Sequence, residues 1–138
     1  MTIDWSRIIT AEMKFEQAKD AKRTRINAAA LAAIDAGFEH DGHVFDSDAR
    51  SQTNIIGTAN AVGAGIPLPE GFTWRTKDNE NVPMDGTAII ALGAALLQHV
   101  NTQYAISWQL KADIEAAKTP EELDAIRWPA AEPPQTAE

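Results

Sequence analysis

Cysteine is absent from the 138 residues. That excludes disulfides, thiolate nucleophiles and cysteine-bound zinc or iron–sulfur centres. No apolar run reaches the roughly 18 residues a membrane-spanning helix needs, so no span is expected. The opening MTIDWSRIIT carries an aspartate and lacks the basic flank and apolar stretch of a secretory signal, which makes a cytoplasmic origin the expectation. Positive charge is scarce too: 12 Lys and Arg against 20 Asp and Glu leave a formal net charge of −8. Such a surface repels phosphate backbones, so general nucleic-acid binding is not expected. The one basic cluster, Lys22–Arg25, sits near Glu12, Glu16 and Asp20, the pattern of a solvated helix face rather than a phosphate site. Nucleophile-elbow, phosphate-loop, zinc-protease and dinucleotide-binding motifs are all missing from the sequence.

What is present suits one soluble domain with one core: 44% of residues are hydrophobic and 23% charged. A chain of this length buries roughly two-thirds of its unfolded surface, enough to stand without staples. Three segments are expected: an N-terminal arm over residues 1–25, a compact domain over 26–128, and a proline-rich tail over 129–138. A helix is predicted from Thr10, as its cap, to Ala36. In its first half large apolar residues are few, only Met13 and Phe15. From Ile26 onward Ile26, Ala30, Ala33 and Ile34 recur at helical spacing, with Leu31 beside them, so this half should pack on the core. The thin first half, preceded by Trp5, Ile8 and Ile9, is harder to bury. Trp5, Ile8, Ile9, Met13 and Phe15 are therefore candidate docking residues for another chain; the competing expectation is that they fold back on their own core.

Gly37 should end this helix in a left-handed conformation. Asp41-Gly42 is the signature of a type I′ hairpin, which pairs His40 with His43, Glu39 with Val44 and Phe38 with Phe45. A second helix is expected over about Ala49 to Ala64, with Ile55, Ile56, Ala59 and Val62 inward. GAGIPLPEG then makes a loop. A second hairpin is expected in FTWRTKDNENVPM, with Trp74 facing the core and Val82 opposite it across a turn near Asp78-Asn79. The two hairpins should join into one short antiparallel sheet. Asp85 caps a long helix over roughly Gly86 to Ala117, whose inward stripe runs through Ile89, Leu92 or Gly93, Leu96, Val100, Tyr104, Ser107 or Trp108, and Ile114. In TPEEL, Thr119 caps, Pro120 takes the first position and Glu122 bonds back in a capping box, while Leu123, Ile126 and Trp128 return to the core. The expected fold is a small, mostly helical α+β domain with one or two β-hairpins packed on a long C-terminal helix.

The stretch FDSDARSQTNI, Phe45 to Ile55, holds the most conspicuous cluster of polar side chains. With Asp46 and Asp48 at positions 1 and 3 of a calcium loop, Arg50 falls at 5 and Gly57 at 12, where a carbonyl or carboxylate oxygen and a glutamate are required. Helix capping by Ser47 or Asp48 explains the aspartates instead. Ser51, Gln52, Thr53 and Asn54 suit structural hydrogen bonds more than a binding pocket. His40, Asp41 and His43 supply too few ligands for zinc, and His99 lies far off in the long helix. Glu121 and Glu122 are accounted for by the capping box and the helix dipole. No catalytic, metal or cofactor site is expected. The four tryptophans, Trp5, Trp74, Trp108 and Trp128, suit core corners or partner surfaces, and three of them lie within the expected compact domain.

The segments RINAAALAAIDAGFEHDGHVFDSDARSQTNIIGTANA, WRTKDNENVPM and LKADIEAAKTPEELDAIRW resemble a domain family of unknown function carried by tailed bacteriophages and prophages, beside or within tail-fibre and tail-assembly proteins. Asp48, Ser51 and Gln52, Trp74 with Asp78-Asn79, and Trp128 carry the likeness. It implies a phage context and a non-enzymatic role: a tail protein, either a tail-fibre-associated structural component or a fibre assembly factor, made in the host cytoplasm and located in the virion tail. Its expected partners are other tail or tail-fibre proteins, or further copies of itself. The alternative expectation is a small phage regulator that inhibits a host protein, its acidic surface mimicking nucleic acid. Within the fold, Asp48 is expected to start the second helix, with Ser51 and Gln52 fastening it to the adjoining hairpin or long helix.

Overall fold

The structure, a computed structural model, describes residues 5–129, excepting the side chains of residues 6–9. Its elements are α1 (Trp5–Asp35), β1 (Phe38–His40), β2 (His43–Phe45), α2 (Ala49–Gly63), β3 (Thr73–Arg75), β4 (Asn81–Pro83), α3 (Gly86–Ala116) and α4 (Pro120–Asp124). It is the expected α+β domain, mostly helical, with two antiparallel strand pairs packed on a long helix. The chain divides into two compact units: a middle unit, Ala30–Ala105, and a terminal unit made of what precedes and follows it.

Each unit has its own core, where one was expected. In the middle unit Phe38, Phe45, Ile55, Ile89, Leu92 and Leu96 form the buried cluster, flanked by Ile56, Trp74, Val82 and Val100. In the terminal unit the cluster is Ile26, Ile114, Ala117 and Leu123, with Phe15, Leu110, Ile126 and Trp128 against it. The reason is visible along α3, where no large apolar side chain is fully buried between Leu96 and Ile114. Tyr104, expected on the inward stripe, is 42% exposed, and the buried position in that stretch goes to Ser107. Leu31 is exposed as well.

Local chemistry explains most of the element boundaries. The helix ends at Asp35, and Gly37 follows at φ +105°, where a side chain would be strained; a Cβ there would also approach the Phe45 carbonyl oxygen at 3.1 Å. Asp41 at φ 50° and Gly42 at φ 78° make the hairpin turn. The register is Phe38 with Phe45, Glu39 with Val44 and His40 with His43, and alternation buries Phe38 and Phe45 while Glu39 and Val44 face outward. In the second hairpin Trp74 pairs with Val82, with Asn79 at φ 65° in the turn. The Asp85 carboxylate accepts from the Ala88 N–H at 2.8 Å and caps α3.

Three expectations need correction. Thr10 is not a cap: α1 already runs from Trp5, since no glycine or proline interrupts WSRIIT. The hairpins do not form one sheet but two separate two-stranded ladders. A single backbone bond joins them, from the Lys77 N–H to the Val44 carbonyl at 2.8 Å, and Lys77 lies in a turn beyond its strand. The α4 capping box is shifted by one residue. Thr119 accepts from the Glu122 N–H at 3.1 Å, as expected, but the Glu122 carboxylate accepts from the Lys118 N–H at 2.7 Å instead of that of Thr119. The expectation for residues 130–138 lies outside the described residues.

Candidate functional site

The polar stretch Phe45 to Ile55 closes the C-terminal end of α1. The last carbonyls of a helix have no partner within it and must find one elsewhere. Ser47, completely buried, donates its hydroxyl to the Ile34 carbonyl and accepts from the Gly37 N–H at 2.9 Å. His99 on α3 donates Nε2–H to the same Ile34 carbonyl at 3.0 Å, which requires the proton on that nitrogen. Lys77 Nζ donates to the Ala36 carbonyl at 2.6 Å and adds a cation at the negative end of the helix dipole. Gln52 Nε2 in turn holds the Ser47 carbonyl at 2.8 Å. Gln52 thus ties α2 to Ser47 in the link that follows β2, where a bond to the hairpin or to the long helix was expected.

Ser51 does not reach a neighbouring element. Its hydroxyl donates to Asp48 Oδ1 within the first turn of α2. Asp48 occupies the N-cap position, yet its side chain makes no capping hydrogen bond to the helix N–H groups. The expected capping role is thus filled by position alone, because Ser51 claims the carboxylate. That hydrogen bond from Ser51 holds the Asp48 carboxyl below its ordinary value, with desolvation opposing and the nearby backbone dipoles of Asp48, Ser51 and Arg50 assisting. Asp46 is exposed. Among the described residues no buried side-chain nitrogen or oxygen lacks a partner.

His99 is not remote from the first hairpin, as its sequence position suggested. Its ring stacks on Phe38 with centroids 5.9 Å apart, while the rings of His40 and His43 lie 6.5 and 6.2 Å from that of Phe45. Among the described residues, no three of His, Asp and Glu gather as a metal would require. His40 Nε2 sits 3.6 Å from the Asp41 carboxylate, near the solvent.

The candidate docking residues part company. Trp5 is 64% and Met13 56% exposed. Phe15, two residues on and so on nearly the opposite face of the helix, packs against the terminal core. The side chains of Ile8 and Ile9 lie outside the described residues. Beside Phe15 sits a residue that charge patterning did not single out: Lys19, only 7% exposed. Its ammonium lies 5.6 Å from the centre of the Phe15 ring and donates to the Glu115 carbonyl at 3.2 Å. Arg23 bridges Asp20 and the Glu115 carboxylate, the latter at 2.9 Å, and the Glu115 hydrogen bond raises the Arg23 pKa further. In the middle unit, Ile90 and Leu97 stand exposed along an apolar groove between α2 and α3.

The family model for a domain of unknown function, DUF4376, matches residues 17–127. The chain belongs to the DUF4376 family. No curated protein and no solved structure matches it. The DUF4376 match takes in Ser47, Gln52, His99 and the α4 cap, together with both cores except Phe15 and Trp128. Trp5 and Met13 lie before it. Among the described residues, the exposed members of the docking set therefore stand on the part of α1 outside the family domain.

Proposed function

We propose that this DUF4376 protein is a bacteriophage tail protein, a tail-fibre-associated structural component or a fibre assembly factor, acting through protein–protein contacts. The phage context comes from the sequence resemblance. The observation that carries the contact role is the exposure of Trp5 and Met13 at the start of α1, outside the family domain. Large apolar side chains held in water at a helix end suit a helix-in-groove contact, and tryptophan is among the residues whose loss from an interface costs most, about 2 kcal/mol or more. Phe15 anchors the same helix to the terminal core, which fixes the direction in which Trp5 and Met13 are offered.

The test is quantitative mass spectrometry of purified phage particles beside the infected-cell lysate. Stoichiometric presence in particles makes the protein a tail component. Abundance in lysate with depletion from particles, and recovery with a fibre protein, makes it an assembly factor. Recovery with a host protein alone overturns the tail reading in favour of a host-directed regulator.

A further inference from the structure

The chain is acidic, yet one groove in its terminal unit opposes that sign. This groove, of about 460 Å³, lies between α1 and the segment that follows α4. Among the described residues, Lys22, Arg25 and Arg127 line it, with Asp124 as the only carboxylate. Three cations less one carboxylate leave a local balance of +2, so the remainder of a chain at −8 stands at −10. Among the described residues, no hydrogen bond or ion pair occupies any of the three cations. Neighbouring Lys19, Arg23 and Lys111 are by contrast engaged by Glu115, Asp20 and Asn27.

The basic cluster on α1 is therefore split. Arg23 is used within the fold, whereas Lys22 and Arg25, three apart and on one helical face, line the groove with Ile26 and Ala29. Ile126 and Trp128, both half-buried, provide the apolar wall opposite. Cations around a cleft of this size with one apolar, aromatic-bearing wall suit carboxylates that alternate with apolar side chains.

We propose that this groove binds a short acidic segment of a partner protein. The carboxylates of the segment pair with Lys22, Arg25 and Arg127, and an apolar side chain lies between them on Trp128 and Ile126. A peptide is favoured over nucleic acid because the positive field is confined to three side chains. A polyanion extending past them would meet the rest of a chain whose formal charge is −10, whereas a short peptide ends within the groove. The inference goes beyond the proposed tail function and stands without it, since the groove belongs to this chain whatever particle carries it.

The experiment is fluorescence anisotropy on the full chain with a labelled short peptide alternating Glu and Leu. Its Gln–Leu analogue and a short single-stranded DNA serve as competitors. The Glu–Leu peptide should bind, weaken as salt is raised, and resist displacement by the other two. K22E/R25E/R127E should weaken binding by at least about tenfold with an unchanged thermal melt. The milder K22Q/R25Q/R127Q serves the same purpose if charge reversal disturbs folding. Trp128→Leu should weaken the Glu–Leu peptide without altering its salt dependence. Failure of the Glu–Leu peptide to bind, equal binding of the Gln–Leu analogue, indifference to the three substitutions, or tighter binding of the DNA would each overturn the proposal.

Discussion

Replacing Ser47 with alanine is the sharpest test of how this fold is held. The hydroxyl serves two backbone groups at once, the Ile34 carbonyl and the Gly37 N–H. Without it the carbonyl keeps His99 as a donor, so that loss is close to one ordinary hydrogen bond, about 0.5–1.5 kcal/mol. The Gly37 N–H is left with no acceptor in a partly buried site, which costs about 1–3 kcal/mol. The sum is about 1.5–4.5 kcal/mol, since no cavity larger than one oxygen is created. For a chain of this length that corresponds to a fall in Tm of roughly 5–20 °C. Gln52→Ala removes one bond, to the Ser47 carbonyl, and should cost about 1 kcal/mol, or roughly 3–5 °C. Calorimetric melts give both values, and hydrogen exchange at the Gly37 amide gives a local check, because that amide should lose protection in Ser47→Ala. A Ser47→Ala melt indistinguishable from the parent, or a larger effect from Gln52→Ala, would refute the reasoning.

Three further outcomes follow from the same geometry. Gly37→Ala forces a Cβ into a left-handed conformation 3.1 Å from the Phe45 carbonyl oxygen and should destabilise by about 1–2 kcal/mol or more, measured by thermal melt. Gly57→Ala is its opposite: the glycine lies inside α2 with nothing within 4 Å of an added Cβ, so the substitution should stabilise by about 0.5–1 kcal/mol. Because the folded Asp48 pKa lies below its ordinary value, its contribution to stability is present above the unfolded pKa and is lost as pH falls through the lower folded one. Ser51→Ala removes the first cause of that shift and should move the Asp48 carboxyl titration upward, as followed by carboxyl-carbon NMR.

How much was legible follows the range of each interaction. Asp41-Gly42 announced its hairpin and register because a type I′ turn is decided by two adjacent residues. Asp85 and Thr119 announced their helices because a cap reaches only three residues ahead. Within the polar stretch the Gln52 bond spans only five residues, to the Ser47 carbonyl. The central residue of that stretch, Ser47, was named only as an alternative cap, since its partners Ile34 and Gly37 lie on another element, and His99 and Lys77 converge there from elsewhere in the chain. Pattern alone could not divide the cores either: the inward stripe of α3 reads on through Tyr104, and only the structure shows that position turned outward. Met13 and Phe15 were grouped by hydrophobicity, although positions two apart in a helix face different ways. The burial of Lys19 and the split among Lys22, Arg23 and Arg25 depend on Glu115, more than 90 residues away, for which the sequence carries no local signal.

The central functional claim is that the protein works by contact with a phage tail or tail-fibre protein, made through the exposed start of α1. The most direct measurement is affinity capture of the tagged full-length chain from infected cells, with quantitative mass spectrometry of what accompanies it, repeated with Trp5→Ala. The account predicts a tail or tail-fibre protein in stoichiometric amount, lost or sharply reduced with Trp5→Ala while the variant keeps its thermal melt. A host protein as the stoichiometric companion, with no phage tail protein present, would contradict it.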